Sequence, residues 1–318
     1  MTTIAPDWLA APATRRVMTA LAPAGPLFVG GCVRDALMRR ATGDIDIAVG
    51  TPPEETMALV EGAGLRAHPT GIEHGVITVS VAGDDGTGAA AFEVATFRRD
   101  VATDGRRAVV AFTADVTEDA ARRDFTMNAL YARTDGAVID PLGAGLHDLA
   151  ARRLRFVGDA DTRIAEDYLR ILRFFRFHAQ FEIQAFDSAG LEACCAGAPG
   201  LARISRERIG AEIIKLLAAP DPGPALTAMG PVLPMILEGA DAAAVSALTA
   251  AEARLDLAPD PLRRLFALGL APHAAQTALR LSNAATARLK AIGDAIERAE
   301  SAGGLAAAAY RVGGDAAA

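Results

Sequence analysis

The chain has 318 residues, enough for two or three compact units with a sizeable buried core. Its formal net charge of −7 argues against a uniformly basic nucleic-acid-coating surface, and no apolar run approaches the ~18–20 residues needed to span a bilayer. The start, MTTIAPDWLAAPATRR, lacks a basic stretch followed by an apolar block, so no signal peptide and no membrane partner are expected.

Three cysteines, with Cys194 and Cys195 adjacent, supply neither a disulfide framework nor metal-ligand spacing, which points to a reducing cytoplasm. The charge is unevenly spread. Lysine occurs only at Lys215 and Lys290, while arginines cluster between Arg98 and Arg208, with pairs at 98–99, 106–107, 122–123 and 152–153. Such a chain can present a local basic face to RNA while the rest stays acidic.

In chain order, β-branched apolar runs bounded by turns predict strands at Pro26–Val29, Ile45–Val49, Gly75–Val81, Phe92–Phe97 and Ala137–Asp140. Helices are predicted at Val33–Arg39 and Pro53–Glu61, and the segment Asp84–Ala90 reads as a hairpin turn. From Asp148 the strand signals fade. Arg163–Phe181 and Ser205–Leu217 carry apolar residues at helical spacing, Pro220, Pro222 and Pro224 make a break, and an alanine-rich helical tail follows. The expected domains are a head over residues 1–148, a helical neck over 149–219, and a helical body and tail over 220–318. No internal repeat is evident.

The densest chemical signal is Leu27–Asp35 (LFVGGCVRD) followed by Gly43–Val49 (GDIDIAV). A strand runs into Gly30-Gly31 and then a helix start, where backbone N–H groups can approach a triphosphate closely. Asp44 and Asp46 fall on one face of the next strand by alternation. Two carboxylates there can bind two magnesium ions that activate an attacking hydroxyl and stabilise a leaving pyrophosphate. A single Asp-x-Asp or Gly-Gly carries little weight; the order strand, glycines, helix, strand carries much more.

Together these motifs resemble the nucleotidyltransferase head of the DNA polymerase β superfamily, and more narrowly its class II bacterial branch containing CCA-adding enzymes and poly(A) polymerases. The resemblance spans residues 25–217 and implies an α+β fold: a small mixed β-sheet head followed by an all-α neck, body and tail. It implies Asp44, Asp46 and Glu93, from the strand Ala91–Arg98 (AFEVATFR), as the catalytic carboxylates. Alternation sets Glu93 opposite in facing to Phe92 and Val94, so it is a candidate third ligand. Arg122–Leu130 (RRDFTMNAL) is similar to a second family block, with Arg122 and Asn128 expected at the nucleotide beside Gly30, Gly31 and Arg34. Asp124 is expected to fix an arginine.

Arg163–Arg173 (RIAEDYLRILR) resembles the Glu-Asp-x-x-Arg helix with which such enzymes read the incoming base. Asp167 and Arg170, three apart on a helix, would present an acceptor and donors side by side. That pair suits cytosine and adenine without a nucleic-acid template; Arg173 lies one turn further on. Ile204–Lys215 is similar to the last family motif, expected to buttress the base-reading helix, with Arg206 or Arg208 touching RNA. The segment Asp100–Thr113 matches the family's flexible loop, and Asp140–Asp148 its link from head to neck.

The implied activity is template-independent addition of CCA to the 3′ end of tRNA from CTP and ATP. Rival readings are a poly(A) polymerase or an enzyme adding only A or only CC, and an inactive RNA-binding protein. The stretch Gly71–Val79 (GIEHGVITV) resembles CCA enzymes more than poly(A) polymerases. A P-loop, zinc spacing and a Ser-His-Asp arrangement are missing. The sequence sets no oligomeric state.

Overall fold

Alternating apolar residues build the N-terminal half. The computed structural model describes residues 2–82, 90–103 and 108–302, and its contacts divide the chain into two compact units, Met1–Arg163 and Ile164–Ala318. That division falls inside the helix Ala160–Glu166.

The first unit holds nine strands among the described residues: β1 (Leu27–Val29), β2 (Asp46–Val49), β3 (Arg66–Gly71), β4 (Val76–Val81), β5 (Ala90–Thr96), β6 (Arg98–Thr103), β7 (Ala108–Phe112), β8 (Tyr131–Ala132) and β9 (Val138–Ile139). Seven form one mixed sheet in the order β3-β4-β5-β2-β1-β8-β9, with β2 parallel to β5 and its other neighbours antiparallel. In β4, Ile77, Val79 and Val81 are buried; in β5, Phe92, Val94 and Thr96 are buried while Glu93 is exposed. This period of two is the physical signature of a half-covered sheet. Helices Pro12–Ala20 and Pro53–Gly62 pack against β3 and β4. On the face that carries Asp46 and Glu93, Val29, Ala48, Phe97, Ala120, Ala129, Tyr131 and Val157 form a buried cluster.

Strand β3 went unread because RAHPTG is mostly exposed and contains Pro69, which suits an edge strand. Most of the turn read at Asp84–Ala90 lies outside the described residues; Ala90 opens β5. The segment expected as a flexible loop is different in its described parts: β6 and β7 pair as an antiparallel ribbon, from Arg98 opposite Phe112 to Thr103 opposite Ala108. Asp104, Arg106 and Arg107 lie outside the described residues.

The second unit is helical among its described residues. Helix starts carry side-chain caps: Asp187, Ser205, Asp241 and Asp260 each accept a backbone N–H of the first turn. Helix Leu169–Gln180 is buried on nearly every side and is bolted to helix Arg206–Leu217 by Arg176 Nε donating to Glu212 Oε2 at 2.5 Å. Arg264, 1% exposed, pairs with Glu252 and donates to the carbonyls of Leu217, Ala219 and Pro220, which satisfies the end of helix Arg206–Leu217. No described helix is long and apolar enough to cross a membrane.

One predicted helix is corrected. Arg163–Phe181 does not run through: helix Ala160–Glu166 ends, Asp167 and Tyr168 are non-helical, and a new helix begins at Leu169. Asp167 Oδ1 accepts the Leu169 N–H at 3.1 Å, the local competition by which aspartate interrupts a helix and starts another. The Tyr168 ring lies so close to Gly200 that a Cβ there would fall 2.0 Å from it.

Candidate active site

Strand β1 ends at Gly30, whose φ of +71° and ψ of −120° only glycine adopts without strain. Helix Gly31–Leu37 starts immediately after it. Each glycine is flanked by a guanidinium. A Cβ at Gly30 would stand 3.4 Å from Arg123 Nη1, and one at Gly31 would stand 3.8 Å from Arg34 Nη2. Arg34, 6% exposed, is held by Asp35 Oδ1 at 2.8 Å and by Asn128 Oδ1 at 2.5 Å. Asn128 in turn donates to Asp124 Oδ1 at 3.0 Å. Asp124 thus holds the asparagine that holds an arginine.

Asp46 opens β2 and stands directly across from Glu93 on β5. Adjacent strands lie roughly 4.8 Å apart, so the two side chains share one face at close quarters. Asp44 does not belong to the strand as predicted; it sits exposed at a bend two residues earlier. Burial, then the Glu93 charge, then that of Asp44, pushes the Asp46 carboxyl up to about 6, against the opposing pull of Arg123. Crowded carboxylates of this kind are a site that a cation relieves. Their hard oxygen donors suit a magnesium-like ion. Among the described residues no three His, Cys, Asp or Glu side chains close around a point by themselves. Magnesium is commonly held by one or two carboxylates, with substrate phosphates and waters completing its shell, so the arrangement fits.

Asp119, 1% exposed, collects five donors. Its Oδ1 accepts Arg122 Nε at 2.9 Å, Arg122 Nη2 at 2.7 Å and the Arg98 backbone N–H at 3.3 Å. Its Oδ2 accepts Arg123 Nη2 at 2.8 Å and the Tyr131 hydroxyl at 2.6 Å. Burial works against the charge, but Arg123 and Arg122 outweigh it and hold the carboxyl down to about 2. Arg122, expected at the nucleotide, is thereby tied to Asp119, while its neighbour Arg123 flanks the Gly30 turn. Asp119 and Tyr131 stand in no chemical motif of the sequence; their one signal is their place beside the arginine pair.

In the second unit, Asp167 and Arg170 have separate partners. Asp167 Oδ2 accepts Arg208 Nη2 at 2.7 Å, and Arg170 Nη1 donates to Glu166 Oε2 at 2.5 Å. Arg173 lies over the Phe177 ring, 5.2 Å from its centroid. Arg208, expected at RNA, is therefore engaged with the expected base reader; Arg206 is exposed.

Comparison with known proteins agrees with this geometry. Residues 27–155 match the family model described as the poly A polymerase head domain, and residues 185–230 match the probable RNA and SrmB- binding site of polymerase A. The first match defines a class, the nucleotidyltransferase heads of the poly(A) polymerase kind. The mitochondrial CCA tRNA nucleotidyltransferase 1 of Danio rerio is 43% identical over 193 residues, 60% of this chain and 43% of that protein. A CCA-adding enzyme of Streptococcus pyogenes is 43% identical over 208 residues, 64% and 49% of the two chains. The solved structure of the Bacillus stearothermophilus CCA-adding enzyme in complex with CTP is similar at a TM-score of 0.74 and 32% identity, covering 91% of this chain and 71% of that one. The chain belongs to the CCA-adding enzyme family. It spans about half the length of the curated relatives it matches.

Proposed function

We propose that the chain adds C, C and A to the 3′ end of tRNA, taking CMP twice from CTP and AMP once from ATP without a nucleic-acid template. The observation that carries this is the Asp46–Glu93 pair, with Asp44 beside it, close enough in charge to Arg123 and the Gly30-Gly31 turn to serve one nucleotide. The RNA 3′-hydroxyl oxygen attacks the α-phosphorus, the bond to the β-phosphate oxygen breaks, and pyrophosphate leaves with that electron pair. Asp44 and Asp46, aided by Glu93, would hold Mg²⁺, which when bound favours the hydroxylate and offsets charge on the leaving group. Asp46 or Glu93 accepts the hydroxyl proton.

Gly30 and Gly31 let the triphosphate approach the backbone, and Arg34 and Arg122, with Asn128 holding Arg34, set its surroundings. Asp167, just ahead of the helix, supplies an acceptor for the base amino group and Arg170 donors for its ring acceptors, with Arg173 one turn further along the helix Leu169–Gln180. Glu166 and Arg208 hold these two side chains in place. Arg206 and Arg208 would meet RNA phosphates, and the body and tail from residue 220 onward would add to the tRNA-binding part. The free Cys32 and Cys194 suit a reducing compartment, which we take to be the cytoplasm.

Addition of A alone is the second reading, favoured by the poly A polymerase description of the head. Incubating purified protein with tRNA lacking its CCA end, Mg²⁺, and CTP and ATP separately and together decides between them. CCA addition requires CTP uptake first and ATP only after two C residues. Uptake of ATP alone onto the truncated end supports the second reading, and no uptake of either overturns both.

A further inference from the structure

Arg123 is held at two points of one plane. Its Nε donates to the Tyr131 hydroxyl at 3.0 Å and its Nη2 donates to Asp119 Oδ2 at 2.8 Å. Two hydrogen bonds to a planar guanidinium fix the direction of the third nitrogen, and that nitrogen, Nη1, is the atom facing Gly30. Tyr131 also donates to the same Asp119 oxygen at 2.6 Å, so hydroxyl, carboxylate and guanidinium close a ring. Asp119 Oδ1 meanwhile accepts the backbone N–H of Arg98, just past the strand that carries Glu93.

A carboxylate placed merely to bolt the core would be satisfied by Arg122, whose Nε and Nη2 both reach Asp119 Oδ1. The second oxygen and the phenol are spent on aiming Arg123. Tyr131 neighbours Val29 across β1 and β8, so the ring is anchored to the same strand that delivers the glycine turn.

We propose that Asp119 and Tyr131 are positioning residues for nucleotide use, acting through Arg123 by aiming its Nη1 at the Gly30-Gly31 turn, where CTP and ATP present the parts they share. This rests on the nucleotidyl-transfer reading above. Steady-state incorporation by wild type, Asp119→Asn, Tyr131→Phe, Arg123→Ala and the Asp119→Asn/Arg123→Ala double variant tests it. A lost charge-assisted hydrogen bond is expected to raise KM by about tenfold. That rise should be the same for CTP and ATP in both positioning variants, with KM for tRNA unmoved and the double variant no worse than Arg123→Ala. A structural role would instead lower thermal stability and the active fraction while leaving nucleotide KM alone. Should Asp119→Asn fail to fold, Tyr131→Phe, which loses one hydroxyl, decides alone. Unchanged nucleotide KM in an active background, or losses that add in the double variant, overturns the inference. An inactive wild type overturns the nucleotidyl-transfer reading instead.

Discussion

Asp46 and Glu93 stand opposite each other on the parallel strands β2 and β5, two acids in register on one face of the sheet. Burial first, and then the charges of Glu93 and Asp44, raise the Asp46 carboxyl to about 6. An acid whose folded value lies above its unfolded one loses stability as pH rises through that window, so at neutral pH this charge destabilises the fold. Asp46→Asn should therefore leave the melting temperature equal or higher, while lowering nucleotide incorporation by about a hundredfold or more. Asp44→Ala should lower incorporation similarly, and Glu93→Gln equally or less. Mg²⁺ should raise the melting temperature of the wild type more than that of Asp46→Asn. Incorporation above about a tenth of wild type in either aspartate variant contradicts the assignment.

Base choice is expected to follow Asp167 and Arg170. Arg170→Ala should leave base acceptors unpaired and weaken CTP and ATP use by on the order of 1–3 kcal/mol. Asp167→Ala should relax discrimination against UTP and GTP, which lack the amino group at that position. Because Arg208 holds Asp167, Arg208→Ala should relax it in the same direction and less far. Incorporation of all four nucleotides by the three variants is the measurement; unaltered preference in all would place base reading elsewhere.

His178 gives the second unit a pH-dependent stability. It is buried, stacked on Phe186 with centroids 3.5 Å apart, and its Nε2 has no hydrogen-bond partner among the described residues. Burial holds its value down to about 4, from 6.5 unfolded. The unfolded chain thus binds the proton first, and stability present above pH 6.5 is lost as pH falls toward 4, at up to about 1.4 kcal/mol per pH unit. His178→Phe should flatten that slope in denaturant titrations at several pH values. An identical slope in both proteins contradicts it.

Much of the head was legible because its motifs are short and local. Alternation in AFEVATF placed Glu93 opposite to buried Phe92 and Val94, as observed. The double glycine announced a turn that needs φ of +71°. What escaped were features set by distant partners or by exposure. The exposed β3 has no apolar period, and the ribbon β6–β7 lies in a segment that resemblance marked as a loop. The break at Asp167 depends on a side chain capping Leu169, against a helical apolar pattern that continues through it. Asp119 gathers donors from Arg98 to Tyr131, a convergence that no spacing rule encodes.

If the carboxylates at β2 build a CCA end on tRNA, the RNA ends themselves record it. Sequencing the 3′ ends of a tRNA lacking CCA after incubation with wild type or Asp46→Ala, Mg²⁺, CTP and ATP tests it most directly. Ends extended by C, C and A in that order are expected from the wild type, and unextended ends from a folded Asp46→Ala. Wild-type ends that stay unextended, or equal extension by Asp46→Ala, would contradict it.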